Sequence, residues 1–110
     1  MKIHDILTLA GAAVSAAPER PATVLAHDHP DGRLVVFRLE PGQQVATHTS
    51  SSSVSLAAVS GSGFVRGEDG ERPITAGQIA TLLPEEPHAM RAGSERLVLV
   101  AFIAPRPGGR

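Results

Sequence analysis

The sequence predicts one all-β domain, an antiparallel sandwich or barrel, preceded by a short N-terminal helix. The chain has 110 residues, which is enough for one domain and too few for two. Hydrophobic residues make up 42% of the chain and charged residues 19%, so a buried core can form. Beyond residue 21 the apolar residues stand in short runs separated by turn residues, which is the pattern typical of strands.

The first segment has a helical period. Its apolar residues recur at steps of three and four positions: Ile3, Ile6, Leu7, Ala10, Ala13, Val14 and Ala17. This spacing places them on one side, and alanine is the strongest helix former, so residues 3 to 16 are predicted as a short amphipathic helix. Pro18 and Pro21 are expected to end it.

Nine strands are predicted after the helix. They cover residues 22–26, 33–39, 43–47, 54–59, 63–66, 71–75, 78–83, 88–91 and 97–103. The separators are rich in Pro, Asp and Gly, which preset φ or permit positive φ, and they include Gly61-Ser62-Gly63 and Gly93-Ser94. Nine short strands at this spacing indicate an antiparallel sandwich or barrel.

The last predicted strand, 97–103, does not alternate polar with apolar residues, so both of its faces are expected to be covered. The outer cover would come from the N-terminal helix or from a second subunit, and we expect a homodimer on this ground. The predicted organisation is a helical segment at 1–20 packed on the barrel, the barrel itself at 21–104, and a flexible tail at 105–110.

Composition excludes several classes of function. Ten Lys and Arg against eleven Asp and Glu give a net charge of -1, which argues against nucleic acid binding. The absence of Cys excludes disulfides, thiolate metal sites and cysteine nucleophiles. No apolar run approaches the roughly 20 residues of a membrane span. His4 and Asp5 interrupt the only segment that could imitate a signal peptide, so we expect a cytoplasmic protein.

Two of the five histidines follow a glycine that opens a predicted strand: His48 after Gly42, and His88 after Gly77. These spacings resemble the cupin family over residues 33 to 104. The first cupin motif falls on Gly42, His48, Ser50, Val54 and Gly61, and the second keeps the separation of Gly77 and His88 but has Leu83, Glu85 and Ala92 where Pro, Gly and Asn stand.

The resemblance implies a double-stranded β-helix, or jelly roll, with a metal held inside by three His and one Glu. Here Ser50 stands at the second His position and Val54 at the Glu position, so His48 and His88 are the candidate metal ligands that remain. Catalytic zinc and non-haem iron sites need three protein ligands. A divalent ion (Zn, Ni, Mn or Fe) is therefore expected to be weakly bound or absent, unless His27, His29, Glu85 or Glu86 completes the site.

We expect His48 and His88 to converge in one cavity as part of a ligand pocket. Ser50 is the candidate third polar group, because it lies two residues after His48, and Arg91 is a candidate to face a ligand carboxylate. In the alternative interpretation each imidazole is only hydrogen-bonded to a backbone carbonyl or water. His27 and His29 are interpreted as the solvated end of a hairpin.

Three functions remain open at this point. The first is binding of a small molecule in the barrel cavity. The second is a metal-dependent cupin enzyme of the dioxygenase, isomerase or decarboxylase type with an unconventional third ligand, and the third is a non-catalytic sensor or structural dimer. The sequence identifies no catalytic residue. It contains no tyrosine, which argues against the metal-free sugar epimerases that the resemblance brings in, because these pair a histidine base with a tyrosine acid.

Overall fold

The structure, a computed structural model, describes residues 1 to 108, which contain one helix and seven strands. In chain order these are α1 (Ile6–Ala12), β1 (Ala22–His29), β2 (Gly32–Leu39), β3 (Gln44–His48), β4 (Ser53–Gly67), β5 (Gly70–Thr75), β6 (Ile79–Leu82) and β7 (His88–Ala104). The predicted all-β class with a short N-terminal helix is confirmed. None of the helical structure in these residues is long and apolar enough to span a membrane.

The prediction of nine strands was wrong because two glycine-rich separators lie inside strands. Gly61-Ser62-Gly63 is part of β4, and Gly93-Ser94 is part of β7. The pairing of β4 with β7 shifts register between Ala58 and Ser60 and again between Gly61 and Gly63. Glycines at these points therefore bend a continuous strand instead of ending it.

All strand pairs are antiparallel. The sheet order is β1-β2-β7-β4-β5, with β3 also paired to β7 and β6 also paired to β4. Along one edge β7 pairs first with β3 and then with β2, and along the other edge it pairs with β4. This arrangement rolls the sheet around one core, whose largest fully buried members include Leu39, Leu56, Leu97 and Leu99.

Part of the opposite face of β7 is covered by α1. Ala10 of the helix packs with Val36 of β2 and Val98 of β7, and all three are at most 3% exposed. The N-terminal helix thus supplies part of the expected cover for the last strand, around Val98. Phe102 and Ile79 remain exposed, and the homodimer stays a prediction.

The helix is shorter than the predicted range of 3 to 16. It begins after Asp5, whose carboxylate accepts a hydrogen bond from the amide of Thr8, an N-cap arrangement. It ends before Ala13, where the backbone is extended. The guanidinium of Arg38 donates to the carbonyl oxygens of Ala10 and Gly11 and so satisfies the last turn.

The described part of the predicted tail lies against the barrel. The amide of Arg106 donates to the carbonyl of Pro30, and its side chain pairs with Asp28. The hydroxyl of Ser52 donates to the carbonyl of Pro105. Residues 109 and 110 of that tail lie outside the described residues.

Exposed ion pairs lie on the outside of the barrel. Arg91 makes a two-bond contact with Glu71, at 2.8 and 3.1 Å, and Arg96 makes a similar contact with Glu40. The hydrogen bond from Arg91 holds the pKa of the Glu71 carboxyl below its ordinary value, and Arg96 does the same for Glu40.

Replacement of Gly61 by alanine should strongly destabilise the fold. Its φ is +76°, and a Cβ added there would lie 1.7 Å from the carbonyl oxygen of Arg96. We expect Gly61→Ala to lower the free energy of unfolding by at least about 2 kcal/mol, measured by urea denaturation followed by circular dichroism. As a control, Gly11→Ala meets no atom within 4 Å and should be neutral or stabilising by about 0.5 kcal/mol. Equal stability of both variants would contradict the close approach of β4 to β7.

The Glu71 ion pair should make a pH-dependent contribution to stability. Because the pKa of Glu71 is lower in the folded chain than in the unfolded one, the contribution is present above an ordinary glutamate pKa of about 4.3 and is lost as the pH falls. Glu71→Gln should therefore lower the urea midpoint more at pH 7 than at pH 3. Glu95→Gln, at an exposed position with no ion pair among the described residues, should have no such pH-dependent effect. A midpoint difference that is the same at both pH values would show that the pair contributes nothing.

Candidate functional site

The pairing of β3 with β7 brings His48 and His88 together. The register aligns Val45 with Met90 and His48 with His88. Residues directly opposite each other in an antiparallel pair project from the same face of the sheet. The two imidazole ring centroids lie 4.2 Å apart, with the ring planes inclined by 58°.

A β-bulge determines which side chain of β3 reaches this position. Between the pairs Val45–Met90 and His48–His88, two residues of β3, Ala46 and Thr47, stand opposite one residue of β7. A regular register would have placed Thr47 opposite His88. The extra residue reverses the alternation and turns His48 toward the barrel interior, which is a common use of bulges next to functional sites.

Backbone carbonyls fix the orientation of both rings. Nδ1 of His48 lies 2.9 Å from the carbonyl oxygen of Ala46, and Nδ1 of His88 lies 2.9 Å from that of Glu86. A carbonyl oxygen only accepts, so Nδ1 carries the proton in each neutral ring and Nε2 keeps its lone pair. Neither Nε2 has a hydrogen-bond partner among residues 1 to 108. The alternative interpretation, in which each imidazole only bonds to the backbone, thus accounts for Nδ1 of each ring but not for Nε2.

The two histidines open into a pocket of about 330 Å³ at the mouth of the barrel. Its wall is mainly apolar and also carries three hydroxyl side chains, those of Thr49, Ser50 and Ser51. The other lining residues are His48, His88, Phe37, Val54, Leu56, Met90, Ala101, Ile103 and Pro107. No charged side chain is among them. His88 is 3% exposed, whereas His48 lies at the exposed rim. A few polar groups in an apolar concavity are typical of small-molecule sites.

A larger groove of about 630 Å³ runs along β5 and β6 and contains no histidine. Its lining includes the charged residues Asp69, Arg72 and Glu86. We regard the smaller pocket as the candidate site because there the unpartnered imidazole nitrogens converge on an apolar space.

Ser50 lines the pocket as expected. It lies in a turn after β3 and not on the strand itself. β3 ends at His48, and the carbonyl of Ser50 accepts a hydrogen bond of 2.7 Å from the amide of Glu85. Glu85 has φ +66°, a left-handed conformation, at the position where the cupin motif has glycine. This bond ties the loop that carries Ser50 to the turn that precedes His88.

The expectation that Arg91 faces the pocket is corrected. Its guanidinium pairs with Glu71 and stacks over the ring of Phe64, with 4.0 Å between the guanidinium carbon and the ring centroid. Side chains alternate along a strand, so a residue three positions after His88 lies on the opposite face. The pocket therefore lacks the arginine that was expected to receive a ligand carboxylate.

The residues present do not fit the metal centre of three His and one Glu. Val54 forms part of the pocket wall at the Glu position. The carboxylate of Glu86 accepts hydrogen bonds from the amides of Leu83 and Glu68 instead. His27 and His29 stack on each other on β1, with 6.3 Å between ring centroids. No group of three His, Cys, Asp or Glu side chains within residues 1 to 108 is placed to hold a metal.

Sequence reasoning did not single out Met90, which belongs to the buried core and also lines the pocket. It is 3% exposed and lies two residues after His88 on the same face of β7. Because side chains alternate along a strand, the spacing of two residues would have placed Met90 on the same face as His88. Pro107 was also missed, because the segment that carries it was predicted as loose.

Comparison with known proteins agrees with this fold. Residues 34–102 match the model of the AraC-like ligand-binding domain. The fold is similar to that of the protein TT1209 from Thermus thermophilus, with 26% identity, a TM-score of 0.86, and 97% of this chain and 100% of that chain covered. It is also similar to an RmlC-like cupin protein from Desulfovibrio desulfuricans, with 25% identity, a TM-score of 0.81, and 96% and 97% covered.

A third similar structure shows the fold alone. It is an uncharacterised protein with a double-stranded β-helix domain from Klebsiella pneumoniae, with 24% identity, a TM-score of 0.76, and 92% of this chain and 90% of that chain covered. No curated protein matches the chain. The family match spans more than half of the sequence and lies within the rolled sheet that carries His48 and His88. The chain therefore belongs to the AraC-like ligand-binding domain family and is a small cupin with a double-stranded β-helix.

Proposed function

We propose that the chain binds a small, largely apolar molecule in the mouth of its barrel and that His48 and His88 hold the polar group of that molecule. The observation that carries the proposal is the pair of free Nε2 atoms at the wall of an apolar pocket. The match to a ligand-binding domain family supports it.

The chemistry of the pocket limits the ligand to a neutral hydrogen-bond donor. Each Nε2 atom accepts one hydrogen bond, so a hydroxyl or N–H group of the ligand can donate to one of them. No charged side chain of residues 1 to 108 lines the pocket, and burying an unpaired charge there would cost several kcal/mol. The volume lies near the lower limit of about 300 Å³ for ligand sites. Small phenols, alcohols and amides fit these conditions.

Binding explains the site better than metal-dependent catalysis does. An enzyme of the dioxygenase, isomerase or decarboxylase type would need a third protein ligand beside the two histidines. The carboxylate of Glu86 is bonded to backbone amides, and His27 and His29 lie on another strand. A sensor role is compatible with ligand binding, whereas a purely structural role would leave the two Nε2 atoms without a purpose.

The proposal is tested with a panel of small phenols and alcohols and their methyl ethers, using calorimetry and thermal shift. The ethers keep the size of the parent compounds but lack the donor, so they should bind about tenfold more weakly. His48→Ala, which alters the exposed rim, should weaken binding of the phenols about five- to tenfold and leave binding of the ethers unchanged.

The matched control is His27→Ala, which removes an exposed histidine of β1 outside the pocket and should leave both affinities unchanged. Equal affinity for phenols and their ethers would overturn the role of the imidazoles. Absence of binding by every neutral compound in the panel would overturn the proposed function itself.

A further inference from the structure

We propose that Pro107 limits the length of the ligand that the pocket accepts. This inference rests on the proposed function and adds a specificity-determining residue to it. It starts from the observation that Pro107 lines the pocket although it lies outside the strands of the barrel, three residues after the end of β7.

The segment 105–107 continues β7 past the last pocket row of the ladder that β4 and β7 form. That row is Val54 opposite Ile103, and both residues line the pocket. The next pair, Ser53 and Ala104, is where β4 begins and β7 ends. The two histidines reach the pocket from the pairing of β3 with β7 instead. The chain beyond Ala104 therefore meets the pocket at its mouth, from a different strand pair than the imidazoles.

Hydrogen bonds to two different loops hold this segment in place. The hydroxyl of Ser52, which is 1% exposed, donates to the carbonyl oxygen of Pro105. The amide of Arg106 donates to the carbonyl oxygen of Pro30 in the turn between β1 and β2, at 3.1 Å. The rings of Pro105 and Pro107 also restrict φ on either side of Arg106. The backbone that presents Pro107 to the pocket thus has little freedom.

An ion pair with β1 adds a further contact. Nη1 of Arg106 lies 3.3 Å from Oδ1 of Asp28, and Nε of Arg33 lies 3.3 Å from the same oxygen. Arg33 stands directly opposite Asp28 in the ladder of β1 and β2, so the hairpin itself orients the carboxylate. The side chains of Arg106 and Asp28 are 27% and 35% exposed, and water therefore screens their attraction less than that of a fully exposed pair.

A fixed apolar wall limits ligand length without competing for the imidazoles. Proline has no N–H donor, so Pro107 offers the ligand a hydrocarbon ring and leaves the Nε2 atoms to the ligand hydroxyl. Each methylene that a ligand buries should raise its affinity about fourfold. Once the ligand reaches a wall that does not move, a further methylene is overpacked and affinity falls.

The experiment measures the affinity of the full chain for phenol and for 4-alkylphenols of increasing length, from 4-methylphenol to 4-pentylphenol, by calorimetry. Affinity should rise about fourfold per methylene up to a limiting length and then fall. Pro107→Ala removes ring carbons from the wall and should extend the limiting length by at least about one methylene. The same limiting length in both proteins would overturn the proposal.

Arg106→Ala tests the anchoring of the wall. It removes the ion pair with Asp28 and should extend the limiting length in the same direction as Pro107→Ala. The matched control is Arg72→Ala, which removes an exposed arginine and its ion pair with Asp69 away from this pocket. This control should leave the limiting length unchanged, and an equal extension in Arg72→Ala would contradict the role of Arg106.

A measurement without ligand separates this proposal from the proposed function. In Pro107→Ala and Arg106→Ala, the buried His88 should react with diethyl pyrocarbonate at least about twofold faster than in the unaltered chain, because the mouth opens more readily. The exposed His27 serves as the internal reference in mass spectrometry. If no phenol binds but labelling of His88 rises, the proposed function fails and the wall at Pro107 stands. If no phenol binds and labelling is unchanged, both fail, and if phenols bind with an unchanged limiting length, only the role of Pro107 fails.

Discussion

The antiparallel pairing of β7 along both of its edges is the constraint on which the rest of the structure depends. Its first residues pair with β3 and its last with β2, while β4 pairs along the other edge. The inner face of this one strand carries His88 and Met90 at the pocket and Leu97 and Leu99 in the core. A shift in the register of β7 would move core and pocket residues together to the wrong face. The site and the core are therefore built on the same strand.

The spacing of residues was sufficient to predict that the two histidines meet, but not how. The separations of His48 from Gly42 and of His88 from Gly77 carry the resemblance to the cupin family, and that resemblance implies a rolled sheet with both rings at its cavity. The bulge at Ala46 and Thr47 that turns His48 inward has no local signal, because a bulge depends on the partner strand. Arg91 was misplaced for a simpler reason: a step of three residues along β7 reverses the face.

The strand boundaries also depend on contacts between residues that are distant in the sequence. Gly-Ser-Gly at 61–63 has the composition of a turn, yet Gly61 is required where β4 passes close to the backbone of Arg96. The sequence shows that Gly61 lies at a special position, but it does not show that the strand continues through it. The close approach to Arg96 exists only when β7 is paired with β4. Pro18 and Pro21 exclude helix at their own positions, but α1 ends earlier, where Arg38 of β2 reaches its last carbonyls. That contact too is created by the tertiary fold.

The distribution of charge explains what the pocket can hold. Arg91 and Arg96 are paired with Glu71 and Glu40 outside the barrel, and the carboxylate of Glu86 is bonded to backbone amides. Within the described part of the chain, the pocket is left with neutral donors and acceptors in mainly apolar surroundings. In such surroundings one unpaired full charge costs more than a hydrogen bond gains, so an occupant must be neutral or must receive several donors at once. A neutral hydroxyl compound meets the first condition, and its binding depends on the Nε2 atoms that the backbone carbonyls leave free.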